Sequence, residues 1–130
     1  MIYLDANFFI FTNLVDTKGK QARCILKEIT QGKQAITSSL ALDEVMWVFL
    51  KHNLKHEIKK IIEEIYSIKN LEVKEVSSLI PLKAVQFMEE HNLKPRDAFH
   101  LAVMKQFGIT EIVTDDKDFD KIPGIKRIRL

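Results

Sequence analysis

Five short strand-like runs, MIYLD, QAITS, LEVKEV, ITEIVT and IKRIRL, alternate along the chain with segments whose apolar residues recur at helical spacing. Strands joined through helices pair in parallel, because each helix must cross over a face of the sheet to bring the next strand alongside. The expectation is an α/β three-layer α/β/α domain with a central parallel sheet, spanning residues 1–130. That length suits one domain, no linker-like stretch divides it, and 46% hydrophobic residues suffice for a core.

The helical segments carry their own signals. ANFFIFTNL turns from the first strand into helix. Ala22, Ile25, Leu26 and Ile29 form one stripe, closed by QG. Ser38 or Ser39 is placed to cap LALDEVMWVFLKHN, which is so apolar that a largely buried helix is expected. Ile58, Ile61, Ile62, Ile65 and Ile68 line the next helix, and Pro81 falls in the first turns of the one after. Pro95 opens the last helix and Gly108 closes it.

No apolar stretch approaches the roughly 18–20 residues of a membrane span, so no membrane partner is expected. MIYLDANFFIF has neither a basic start nor a small-residue cleavage site, unlike a secretory signal. Cys24 is the only cysteine, which rules out an internal disulfide and points to a cytoplasmic setting, with Cys24 itself expected in the core. The net charge of +2 is too small to announce a nucleic-acid partner.

In parallel α/β sheets, ligands bind beyond the carboxyl ends of the strands, where the strand order reverses. Asp5 ends the first strand, and Asp115, Asp116, Asp118 and Asp120 crowd the stretch after ITEIVT. Two helices add acids in apolar company. Asp97, in a first turn, shares its face with Leu101 and Met104, although a helix-dipole carboxylate is the commoner role for such a residue. Asp43 and Glu44 interrupt the apolar helix after QAITS, and periodicity leaves open which of them faces the sheet edge. Carboxylates gathered on one edge repel each other unless a divalent cation compensates them, and Mg2+ or Mn2+ prefers such oxygen ligands. The chemistry implied is metal-dependent attack of water on a phosphodiester.

YLDANFFI, SSLALDEV, KPRDAFHLAVMKQFG and IVTDDKDFDKIPG resemble, in order, the four acidic motifs of the PIN domain, with VapC-type toxin ribonucleases of toxin–antitoxin pairs the nearest likeness. The resemblance covers nearly the whole chain. It implies that Asp5, Glu44 and Asp97 are active-site carboxylates, with Glu44 chosen over Asp43. The pattern Thr-x-Asp-x-Asp-Phe falls on Thr114, Asp116, Asp118 and Phe119, which makes Asp116 the fourth acid and Asp118 its assistant or the residue that orients a water. Asn7 and Thr114 are implied to support the acids by hydrogen bonds, while Asp115 and Asp120 are assigned to solvent. The resemblance further implies Mg2+ or Mn2+, an RNA substrate, an antitoxin partner and a homodimer.

His52 and His56 stand four apart but at a helix junction without a third ligand, and are read as surface residues. His100, three residues after Asp97, could orient a site carboxylate, though a packed histidine is the commoner case. Trp47, Phe8 and Phe9 read as core or a dimer face. Four glycines with no Gly-rich loop argue against a P-loop or Rossmann site. A phospho-acceptor receiver domain needs paired early acids and a late strand-end lysine, whereas the early acid here is single. The remaining alternative is a PIN-like protein that processes RNA outside a toxin–antitoxin pair, or binds without cutting. Lys18, Lys20, Arg23, Arg96 and Lys117 are the candidates to hold phosphates.

Overall fold

The computed structural model describes residues 1–13 and 16–130, so Leu14, the end of the expected first helical segment, lies outside the described residues. The elements run β1 (Ile2–Leu4), α1 (Ala6–Phe11), α2 (Thr17–Thr30), β2 (Ala35–Ser38), α3 (Ser39–Lys51), a 3-10 turn (Lys55–Glu57), α4 (Ile58–Ser67), β3 (Leu71–Lys74), α5 (Ile80–His91), α6 (Pro95–Gln106), β4 (Glu111–Val113), a second 3-10 turn (Lys117–Lys121) and β5 (Lys126–Ile128). All four pairings are parallel, in the order β3-β2-β1-β4-β5. Three-layer α/β/α packing follows, as the alternation of strands and helices requires.

β1 is fully buried and its side chains alternate between two cores. Ile2 and Leu4 join Ala35 and Val113 beneath Phe8, Phe9, Ile25, Ile29, Val45, Ile61 and Ile65, from the helices α1 to α4. Tyr3 points the other way, with Ile36 and Ile112, toward Ala84, Leu101, Met104 and Phe119. Phe8 and Phe9 pack edge to face with ring centroids 5.3 Å apart, so this pair is core. No helix among the described residues is long and apolar enough to cross a membrane.

Local signals work as the side chains dictate. Ser38 caps α3, its Oγ accepting from the Ala41 N–H at 3.3 Å. Pro95 is the first residue of α6, and Gly108 leaves that helix at φ +66°, a conformation that suits glycine. Two expectations fail. Cys24 is exposed, because the inward stripe of α2 is Ala22, Ile25 and Ile29, and a residue two positions from Ala22 lies on the opposite side. Nor is α3 largely buried: only one side, with Ala41, Leu42 and Val45, meets the interior, while Met46, Trp47 and Leu50 stay exposed at 38%, 49% and 45%. Hydrophobicity all round a helix did not distinguish the side that packs inside this chain from a side left to solvent.

The sheet order places the reversal at β1, whose two neighbours are β2 and β4, so the chain leaves β1 in one direction for β2 and β3 and in the other for β4 and β5. Asp5 and the loop after β4 flank that crevice. Phe119 anchors the loop from the second 3-10 turn, with 0% exposure against the α5–α6 side of the sheet. Phe119→Ala should therefore cost about 3–5 kcal/mol in urea denaturation. A loss under about 1 kcal/mol would show that the loop is not held by this side chain.

Candidate active site

Asp5 leaves β1 and caps α1. Its Oδ1 accepts from the backbone N–H of Asn7 at 2.8 Å, and its Oδ2 accepts from the hydroxyl of Thr114 at the end of β4. Asn7 thus supports Asp5, through its backbone. The same Thr114 oxygen accepts from the Asp116 N–H at 3.0 Å, and Asp116 Oδ1 accepts from the Asp118 N–H at 2.9 Å. The carboxylates of Asp5 and Asp116 are each oriented by a donor that follows them in the chain, and the Thr114 hydroxyl ties the loop after β4 to the end of β1. Asp97 approaches from the first turn of α6. One carboxylate oxygen each of Asp97, Asp116 and Asp118 lie within 4.8 Å of one another, all three residues half-buried. No other such group of three ligands forms among the described residues, His52 and His56 included.

Glu44 enters from α3. It is half-buried, and its Oε1 lies 2.5 Å from His100 Nε2, whereas Asp43 is exposed. His100, only 2% exposed, is both a packed histidine and a partner of a candidate acid. Its Nδ1 lies 2.6 Å from the Tyr3 hydroxyl, which meets Ser38 Oγ at 2.8 Å. Tyr3 and Ser38 were not singled out as site residues from the sequence. The available signal was a tyrosine between Ile2 and Leu4 in an otherwise aliphatic strand.

Asp115 and Asp120 are not simply solvated. Lys18 of α2 reaches Asp115 at 2.6 Å, and Arg127 of β5 grips Asp120 with Nε at 2.8 Å and Nη2 at 2.9 Å. Arg127 also donates to the Thr114 carbonyl through Nη1 at 3.4 Å. Lys18 comes from a distant segment that only the fold brings alongside, and Arg127 lies seven residues beyond Asp120. Two of the crowded aspartates therefore brace the loop with ion pairs, and two join Asp97.

The PIN domain pattern matches residues 2–125. The chain belongs to the PIN domain family. Ribonuclease VapC13 of Mycobacterium tuberculosis is 24% identical over 113 residues, which cover 82% of this chain and 81% of that protein. VapBC2 from Rickettsia felis, solved bound to a DNA fragment from its promoter, superposes with a TM-score of 0.78 at 18% identity, covering 100% of this chain and 99% of that one. Mycobacterium tuberculosis VapC20, a sarcin-ricin loop cleaving toxin, superposes with a TM-score of 0.73 at 18% identity over 86% of this chain and 87% of its own. The structural likenesses establish the fold of this PIN domain.

Crowding shows in the acids' affinity for protons. Burial pushes Asp5 up to about 6, against the pull of the Thr114 hydrogen bond, the nearby His100 and the Asn7 N–H. Burial, then the neighbouring Asp116 and Asp118, push Asp97 up to about 7. Both acids hold protons more tightly in the folded PIN domain than at the ordinary value of 3.8. Between pH 4 and 7 the folded state consequently binds more protons than the unfolded one, and its stability falls as pH rises through that window. Their destabilisation is absent below the unfolded value and complete above the folded values. The donors are all carboxylate oxygens, which fits a hard divalent cation. Asp97→Asn should raise the melting temperature of the metal-free protein at pH 8, with a gain that shrinks as pH falls toward 4. Mn2+ binding near pH 6.5 should expel protons, seen as a calorimetric enthalpy that varies with the buffer's ionisation enthalpy. A mutant that melts lower at every pH would make Asp97 a structural capping acid.

Proposed function

We propose that this chain, as one PIN domain over residues 1–130, is a metal-dependent endoribonuclease and the toxin of a VapBC-type toxin–antitoxin pair. The observation that carries the reading is the convergence of Asp97, Asp116 and Asp118 within 4.8 Å beside the crevice that Asp5 and Glu44 also flank. The ribonuclease names of its relatives and the toxin–antitoxin structures among its likenesses support the substrate class. Asp5, Glu44, Asp97 and Asp116 are proposed to hold Mg2+ or Mn2+, with Asp118 as a further catalytic acid. Bound there, the cation supplies Lewis-acid polarisation of a phosphate oxygen and eases deprotonation of water. Asp118, its N–H tied to Asp116, orients the attacking water. Asp5 is rigid because both its oxygens already accept hydrogen bonds, so its remaining lone pairs face a fixed direction. Exposed Arg96 and Lys117, adjacent in sequence to Asp97 and Asp116, are placed to hold the RNA backbone, while Lys18 is engaged by Asp115.

The reading includes two protein partners, an antitoxin and a second copy in a homodimer, and a cytoplasmic setting. Two apolar surfaces support the partners. Met46, Trp47 and Leu50 stand out on α3, and Leu79, Leu82 and Val85, at 66%, 71% and 53% exposure, stand out along α5. An apolar groove of about 460 Å3 lies beside the second surface, lined by Leu79, Ile80 and Phe87.

Cleavage of a mixed RNA by wild type and Asp97→Asn, with Mg2+, Mn2+ or EDTA, tests the reading. Cutting should need both metal and Asp97, with the mutant slowed about a hundredfold or more. RNA bound but not cut by the wild type would favour a non-cutting PIN protein, and equal cutting by both proteins would remove Asp97 from the site.

A further inference from the structure

Tyr3 and His100 form a polar seam through an otherwise apolar core. Tyr3 is 0% exposed, in the central strand between Ile2 and Leu4, and His100 is 2% exposed on a helix whose buried neighbours are Ala98, Leu101 and Val103. Buried polar groups of this kind destabilise a core unless every donor finds an acceptor. Here they do, and no buried side-chain nitrogen or oxygen among the described residues lacks a partner.

The seam has a direction. Glu44 as a carboxylate only accepts, so the proton on Nε2 of His100 points at Oε1 and Nδ1 becomes the acceptor. Tyr3 then donates to Nδ1, and burial holds its phenol far above the ordinary range, so the proton stays there. Ser38 donates to the Tyr3 oxygen while its own oxygen receives the Ala41 N–H. One tautomer satisfies every group in the line. The line begins at the N-terminus of α3 and returns to the same helix at Glu44, having passed through β1 and α6. Glu44 Oε2 has no hydrogen-bond partner among the described residues.

We propose that Tyr3 and His100 are positioning residues: the line from Ser38 fixes the imidazole, and the imidazole fixes Glu44 so that its second oxygen is presented to a divalent cation at the acidic edge. This rests on the metal-site reading above. A network that served only the core would end on another core group, whereas this one ends on a half-buried acid at the functional edge.

The test is the affinity of the RNA-free protein for Mn2+ alone, followed by the paramagnetic resonance of the free ion, well below each variant's melting temperature. Tyr3→Phe keeps the packing and removes the link. Tyr3→Phe with His100→Leu removes both partners at once and leaves no orphaned group between them, so its fold should survive. Both should bind Mn2+ about ten- to a hundredfold more weakly, the usual effect of losing the group that orients a ligand. His100→Gln, which keeps a donor near the Nε2 position, should retain most of the affinity. Excess Mn2+ should restore RNA cleavage by Tyr3→Phe. If the wild type binds Mn2+, Asp97→Asn does not, and both Tyr3 variants match the wild type, the positioning role of Tyr3 and His100 is refuted while the metal site stands. If the wild type fails to bind Mn2+ at all, the metal-site reading falls and takes the positioning role with it.

Discussion

One buried hydroxyl, that of Thr114, joins the ends of the two central strands. It donates to Asp5 at the end of β1 and accepts from the backbone of Asp116 beyond β4. Parallel pairing sets β1 against β4 with Tyr3 opposite Ile112 and Leu4 opposite Val113, so Asp5 and Thr114 arrive side by side by register alone. From that contact the rest follows: the turn at Asp116, the N–H of Asp118, and the approach of both to Asp97. A shift of one residue in the pairing would turn Thr114 to the other face and separate the acids from each other.

The edge so built carries an internal conflict. Asp97, Asp116 and Asp118 are close enough to raise the cost of their own ionisation, and Asp5 is buried against its preference for water. The protein holds them with groups that leave the cluster's charge in place: backbone N–H donors, a threonine hydroxyl, and bases that take the outer acids, Lys18 for Asp115 and Arg127 for Asp120. The Lys18–Asp115 pair, open to solvent on both sides, adds little to global stability, whereas the forked Arg127–Asp120 pair rests on an arginine side chain only 4% exposed. Their effect is local, closing the loop by ties at its first and last acids while the acids between them remain available.

Strand and helix order was legible because period and punctuation in this chain agree with the fold: each run that alternates or is wholly apolar became a strand, and Pro95, Gly108 and Ser38 sit where helices begin or end. Asp5 and the aspartate-rich loop after β4 were legible for a different reason, since the carboxyl edge of a parallel sheet is known before any side chain is placed, whereas only the resemblance to the PIN motifs assigned Asp97 to the site and picked Asp116 and Asp118 out of that loop. Glu44 could not be separated from Asp43 by periodicity, because neighbours on a helix differ by only about 100° and α3 is apolar on most sides. Cys24 and the exposed side of α3 were misplaced for the same reason, apolar character being a poor guide to which side of a helix meets the core. The pairings that depend on three dimensions alone, Lys18 with Asp115 and Tyr3 with His100, have no local spacing that could show them.

The strand order also has a consequence in time. β1 is made first yet lies at the centre, and β4 and β5, which flank and brace the site, are made last. Contacts between such distant parts of a chain form late and slowly. A nascent chain therefore carries Asp5 and Glu44 long before Thr114 and Arg127 exist to complete the edge. The acidic edge is thus the last part of the fold to be completed, assembled only once β4 has paired with β1.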